Sequence, residues 1–444
     1  MSPRKAITPG TMLPPKTGVK VRMYNVGFGD CFLLAFPVVG GKAFYMLIDC
    51  GVHNQYKDGS AILNNVVKDI AQATGSHLNL VVITHEHTDH MLGFNYCQEL
   101  FKHFTIDDLW LAWTEDPADQ LAQSLKQQYG KRVAALTTAL QKLKEANAIT
   151  ALNIESILGF EMPAAPAALS GKLGELEFLR AQSRKKPVSS KDYRHPGEAP
   201  LSLPGVKGVK VTVLGPPKSE KLIKDLEETN ELYLEAINMR GASTFATALA
   251  TSAADSADEE EKAWFLRSCP FDKSFRIPPA DAQSHEDYGS FFKGSYGFKE
   301  TLDEGPSWRR IDDDWLSASE ELALSINSLT NNTSLVLALE LSGGKVLLFA
   351  ADAQVGNWLS WYDLPPKQGG SSGNKVDIGD LLARTVLYKV GHHGSRNATL
   401  KEKGLEKMVD PGLVAMLSVD EHWAKEVKKP RWEHPDPNLL ERLV

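Results

Sequence analysis

The chain has 444 residues, a formal net charge of −7 and a pI near 6.0. That is enough length to bury a full core and too little positive charge for the whole surface to attract nucleic acid. No apolar run reaches the length of a membrane span, and the opening MSPRKAITPGTMLPPKTG carries positive charge with no hydrophobic region behind it, unlike a secretory signal. Residues 1–18 are expected to form a flexible Pro/Gly lead-in. Cys31, Cys50, Cys97 and Cys269 lack CxxC spacing, which favours a reducing, cytoplasmic setting. Two basic runs, Arg180, Arg184, Lys185, Lys186, Lys191 and Arg194, then Lys425, Lys428, Lys429 and Arg431, read as solvated loops.

Residues 19–24, 31–38 and 42–48 alternate as strands, the last two joined at Gly40-Gly41. Between the first two, Asn25-Val26-Gly27-Phe28-Gly29-Asp30 lets backbone pass close to a site, with Asp30 turned inward. Val81-Val82-Ile83 reads as a buried strand, and Thr84-His85-Glu86-His87-Thr88-Asp89-His90 follows it. In an extended segment alternate side chains share a face, so His85 and His87 can reach one ion together. If a helix starts next, Asp89 and His90 in its first turn point at a second. Imidazole and carboxylate suit zinc and similar ions, and two such ions can clamp the attacking and leaving oxygens of a displacement.

A strand is expected at 104–112, amphipathic helices over 116–147 and a strand-rich continuation over 148–215, stopped by Gly215-Pro216-Pro217. Residues 218–325 combine a helical start (222–239), an acidic run (253–261) and an aromatic, polar stretch (265–308). This block reads as an insertion that borders the site and offers a surface to a protein partner; spacing gives His285, Trp308 and Trp315 no role. Two further strands joined at Gly343-Gly344 deliver Asp352 to a strand end. The next, over 385–390, ends in Gly391-His392-His393-Gly394. Adjacent residues on a strand face opposite ways, so at most one of the two histidines can face a given ion, and the other is free to meet a substrate oxygen. His434-Pro435 precedes a helix opened by Pro437.

HEHTDH after an apolar strand resembles the HxHxDH signature of the metallo-β-lactamase superfamily, which implies a four-layer αβ/βα sandwich. NVGFGDCFLL, MLIDCG, NNTSLVL with LLFAAD, and KVGHHGS are similar to segments of the soluble metallo-β-lactamase-like domain of ComEC DNA-uptake proteins. The resemblance implies that Asp49 supports the HxHxDH loop, that Asp352 bridges two metals, that one histidine of the pair completes the second position, and that His434 lies near substrate. Three departures stand out: Ala351 replaces a common glycine, Asp436 replaces a histidine, and His103, His195 and His285 supply no recognisable third histidine. The first position is then left to His85, His87 and Asp352 with water.

The implied fold is divided as 19–217 and 326–444 around the 218–325 insertion. The implied protein is a hydrolase with two divalent ions, Zn²⁺ or Mn²⁺, acting through activated hydroxide on phosphodiesters, nucleic acid included. Its metal ligands are His85, His87, Asp89, His90, Asp352 and His392; Asp89, His393 and His434 serve catalysis; Asp30 and Asp49 orient the ligands. Two alternatives stay open: a hydrolase of another ester (phosphocholine ester, lactone or thioester), and a partner-dependent or non-catalytic subunit of a larger complex. No membrane partner is expected.

Overall fold

Apolar alternation and tight glycine turns pair the strands into two six-stranded sheets, in a computed structural model that describes residues 12–145, 149–161, 169–224, 277, 279–296, 318–364, 376–427 and 432–444. The first sheet runs, in spatial order, β1 (Lys20–Met23), β2 (Phe32–Pro37), β3 (Ala43–Ile48), β4 (His77–Val82), β5 (Thr105–Trp110) and β6 (Ser183–Lys185). β1 to β3 pair antiparallel; β3 to β6 pair parallel. The second sheet runs β7 (Leu201–Ser202), β8 (Lys210–Gly215), β9 (Val336–Glu340), β10 (Val346–Phe349), β11 (Thr385–Lys389) and β12 (Val414–Met416). Here β7 to β10 pair antiparallel, and β10 to β12 parallel.

The inner faces of the sheets form one core. Phe32, Leu34, Phe36, Met46 and Val82 meet Val211, Val213, Leu337, Leu339 and Phe349, and burying each such side chain contributes about 1.5–3 kcal/mol. Phe32 and Phe349 pack edge to face with centroids 5.6 Å apart. The helices Gly59–Thr74, Thr88–Tyr96 and Leu169–Gln182 cover the outer face of the first sheet. On the first of them Leu63, Val67 and Ile70 recur at helical spacing, which is why that face is buried. Val355–Ser360 and Ile378–Ala383 cover the second sheet. The result is the four-layer αβ/βα sandwich expected from the sequence. Two of its parallel pairs, β3 with β4 and β10 with β11, carry the candidate ligands beyond their carboxyl ends.

Residues 148–182 differ from the strand-rich expectation. Among their described residues stand the helices Ile149–Glu161 and Leu169–Gln182 and no strand, the next strand being β6. The segment is rich in Leu, Ala and Glu, strong helix formers. By its contacts the chain divides into two units: 1–128, 155–238 and 326–444, which contains both sheets, and 129–154 with 239–325. Within the latter the described elements include the helices Pro279–Ser284 and Gly289–Tyr296, with His285 stacked on Tyr288 at 3.5 Å.

Most of the 218–325 block lies outside the described residues, including the acidic run at 253–261, Cys269, Trp308 and Trp315; so do residues 1–11, Lys428, Lys429 and Arg431. Met12, the first described residue, is buried in the core. Cys31, Cys50 and Cys97 are buried free thiols. In the first basic run Arg184, Lys185 and Arg194 pair with Asp107, Asp108 and Glu198. Among the described residues no helix is long and apolar enough to cross a membrane.

Candidate metal centre

β4 ends at Val82, the chain bends at Glu86, and His87 is extended (φ −73, ψ 149) where the helix Thr88–Tyr96 begins. The HEHTDH segment thus enters a helix as expected: His85 and His87 lie on the approach, Asp89 and His90 in the first helical turn. Gly51 allows this turn to sit down, because a Cβ there would strike the Asp89 carbonyl carbon and the His90 nitrogen. The Cys50 and Gly93 amides complete the seat, donating to His90 and Cys50 carbonyls at 2.8 Å each.

Asp89, His90, Asp352 and His393 each turn one ligand atom inward, and these four atoms lie within 4.8 Å of one another. All four side chains are buried. His90 Nε2 and Asp352 Oδ2 are 3.2 Å apart; neither they nor Asp89 Oδ1 have a hydrogen-bond partner among the described residues. Orphaned buried polar atoms are rare in native proteins, and here they face one another. His393 Nε2 lies 2.8 Å from Asp89 Oδ2 and 3.7 Å from Asp352 Oδ2.

The far side of each ring is held. His90 Nδ1 lies 2.8 Å from Asp49 Oδ2, and Asp49 also accepts the Thr84 amide at 2.9 Å and its hydroxyl at 2.6 Å. His393 Nδ1 lies 2.6 Å from the Ser418 carbonyl. Such acceptors fix the tautomer and leave the opposite nitrogen bare for a metal. Asp30 lies behind His90, 3.7 Å from Nδ1, and its other bond is to Lys389 at 2.5 Å. The buried Lys389 ammonium also donates to Asp352 Oδ1 at 3.0 Å and to the Ala351 carbonyl at 2.9 Å.

Four carboxylates, Asp30, Asp49, Asp89 and Asp352, are thus buried around the site, and one ammonium, Lys389, pairs with two of them, Asp30 and Asp352. Such an excess draws protons or cations. Burial alone would lower His90, but Asp352, Asp89, Asp49 and Asp30 outweigh it and hold the imidazole well above its ordinary pKa. His393 is likewise raised against burial, by Asp352, Asp89 and Asp30. Burial pushes Asp352 up, yet Lys389, His90 and His393 hold it well below the usual carboxylate range.

The second pair of imidazoles differs. His85 Nε2 and His87 Nδ1 are 3.0 Å apart. His85 Nδ1 is 3.1 Å from Thr84 Oγ1 and 3.3 Å from Ser334 Oγ, and burial followed by its neighbours His90 and His87 holds the ring well below its ordinary pKa. His87 Nε2 meets Glu161 Oε1 at 2.7 Å.

His392 and His393 do not lie on the strand expected from sequence, which ends at Lys389, so strand alternation does not set which way they face. Both residues occupy the tight turn Gly391–Gly394 in left-handed conformations, φ 42 and 51, which side-chain residues adopt at a cost. The turn aims His393 into the four-residue group. His392, assigned to the metal from sequence, sits outside it, 3.4 Å from both Asn331 Nδ2 and Gln354 Nε2, and burial lowers its pKa to about 4. His434 lies near the site, its ring centroid 5.7 Å from that of His392 and 5.8 Å from that of Phe28. Asp436 caps the helix Pro437–Leu443 by accepting from Asn438 and Leu439 amides.

Sequence reasoning missed Lys389, Glu161 and Glu115. The string KVGHHGS contains Lys389, but a lysine on a strand reads as solvent-facing. Glu161 was hidden in the segment mistaken for strand. Glu115 follows β5 and bonds Lys126 at 2.7 Å; burial and the nearby Glu86 raise it to about 7.

An αβ/βα sandwich with buried histidines and aspartates beyond its parallel strand ends defines the class. Residues 24–145 match the family model described as Metallo-beta-lactamase superfamily, which supports that superfamily for this fold; its members are generally metal-dependent hydrolases. Comparison with curated proteins and with solved structures gave no match.

Proposed function

We propose that the protein is a metal-dependent hydrolase that holds two divalent ions, Zn²⁺ or Mn²⁺, and cleaves phosphodiester bonds. The observation that carries this reading is the meeting of Asp89, His90, Asp352 and His393 from three separate segments, with orphaned atoms turned toward one another. In this assignment His393 rather than His392 completes the second position, and His85 and His87 form the first with Asp352 between. Bound there, the ions supply Lewis acidity and a hydroxide nucleophile at neutral pH.

The chain's own groups orient that chemistry. Asp49 and the Ser418 carbonyl hold His90 and His393 by their outer nitrogens. Lys389 occupies Asp352 Oδ1 so that Oδ2 alone points inward. With His393 engaged as a ligand, His434 is the imidazole left to meet the leaving oxygen. Burial and the nearby His392 and His393 hold its pKa well below the ordinary value, so it meets that oxygen as a neutral hydrogen-bond donor.

The phosphodiester assignment draws on the similarity of NVGFGDCFLL, MLIDCG and KVGHHGS to the ComEC-like domain. A second reading, activity dependent on a partner protein, is favoured by the burial of His87, Asp89, His90, Asp352 and His393, each 0% exposed. Purified protein with Mn²⁺ or Zn²⁺, offered single-stranded DNA, RNA and a chromogenic phosphodiester beside an Asp89→Ala variant, tests both. Turnover by the wild type alone is expected; equal turnover by the two proteins contradicts the assignment, and turnover only on adding a second protein selects the partner-dependent reading.

A further inference from the structure

The carboxylate of Glu161 ends the helix Ile149–Glu161 in a fully buried position, 2.7 Å from His87 Nε2, and both side chains are 0% exposed. Its place is fixed by neighbours. The Thr88 hydroxyl donates to the Gly159 carbonyl at 2.8 Å, and Phe160 stacks on Trp432 at 5.2 Å and packs edge-on to His53 at 4.6 Å. Gly159 admits this approach because a Cβ there would meet the His53 ring. The helix end is thereby pinned to the residue that follows His87.

We propose that Glu161 is a positioning residue for the first ion position: it accepts the Nε2–H of His87 and so presents Nδ1 as a bare lone pair beside His85 Nε2, 3.0 Å away. The inference rests on the metal-dependent reading above and adds a residue to it. A neutral imidazole carries one N–H, so a carboxylate at Nε2 fixes which nitrogen is free. His85 can take the same form, with its Nδ1–H directed to Thr84 Oγ1, whose own proton goes to Asp49 at 2.6 Å. Two bare nitrogens then face each other in a buried place, an arrangement that a shared cation stabilises. A carboxylate behind a metal-binding histidine also raises its basicity, and losing such a group typically lowers metal affinity by roughly 10–100-fold. The chain thus supplies from a helix what a third histidine would otherwise contribute in part.

The test compares the full-length wild type with Glu161→Ala and Glu161→Gln by competition of Zn²⁺ against a chromogenic chelator, with stoichiometry by elemental analysis. Glu161→Ala is expected to weaken one of two bound ions by about 10–100-fold and leave the other unchanged. Glu161→Gln, whose amide oxygen still accepts from Nε2–H, recovers part of the loss. Two ions bound with equal affinity in all three proteins overturn the role of Glu161 alone, whereas no ion bound by the wild type overturns the metal-dependent reading itself. Long-range ¹H–¹⁵N spectra of the wild type without metal decide the matter even if a variant does not fold: His87 as the Nε2–H tautomer supports the proposal, and as the Nδ1–H tautomer overturns it.

Discussion

In the proposed assignment the second ion position would gather two carboxylates and two imidazoles, all buried, with Asp352 further tied to Lys389. The first would take two imidazoles 3.0 Å apart, with the carboxylate of Glu161 behind one ring and Asp352 shared with the second position. One position is therefore made by charge and the other by lone-pair geometry. A buried negative excess must be balanced by something, so the second position should be filled more tightly and should exchange protons for its cation. Two imidazoles without a carboxylate excess around them make no such demand, and the first position should depend more on how well its rings are aimed.

The largest expected effect breaks the charged position. Asp89→Ala removes a ligand and the partner of His393, and should lower affinity for the second ion and turnover by at least ~100-fold, beyond the loss typical of groups behind a ligand; chelator competition with activity on a chromogenic phosphodiester checks this. Lys389→Met leaves Asp30 and Asp352 without their ammonium and should destabilise the metal-free protein by about 3–5 kcal/mol. Denaturant unfolding with and without Mn²⁺ measures it, and the loss should shrink when metal is bound.

A milder contrast concerns pH. His90 and His393 are raised above their ordinary 6.5 and hold protons that a cation must displace. In the metal-free protein their contribution to stability is full below 6.5 and is lost as pH rises through the raised values. Metal affinity at the second position should consequently increase with pH over that window, with proton release visible by calorimetry in buffers of different ionisation enthalpy. The neutral His85 releases none. The smallest effect tests the backbone: Ala351 lies at φ 50, where an L-residue is strained by roughly 1–2 kcal/mol. Ala351→Gly should raise stability by about 1 kcal/mol, net of the entropy of glycine, with metal binding unchanged.

The parts legible in the sequence were those set by local pattern. The strand that leads into His85 and the Gly-Gly hairpin before Asp352 follow from apolar runs and turn residues, and both strands lie where expected. The segments that failed depend on distant contacts. Which of His392 and His393 faces the cluster is set by two left-handed residues packed against the strand end that carries Ala351, whose carbonyl accepts the His392 amide at 3.2 Å. Glu161 reaches His87 across 74 positions of sequence, and a helix of Leu, Ile and Phe gave no sign of what its last residue would touch. Lys389 is buried because two aspartates from other segments surround it, a circumstance its own strand does not reveal.

Elemental analysis of the full chain after incubation with Zn²⁺ or Mn²⁺ and removal of free metal tests the central claim most directly. The wild type should retain two ions, and Asp352→Ala, which removes the carboxylate between the two positions, should retain fewer. A wild-type chain that retains no divalent ion, or an Asp352→Ala chain that retains as many as the wild type, would contradict it.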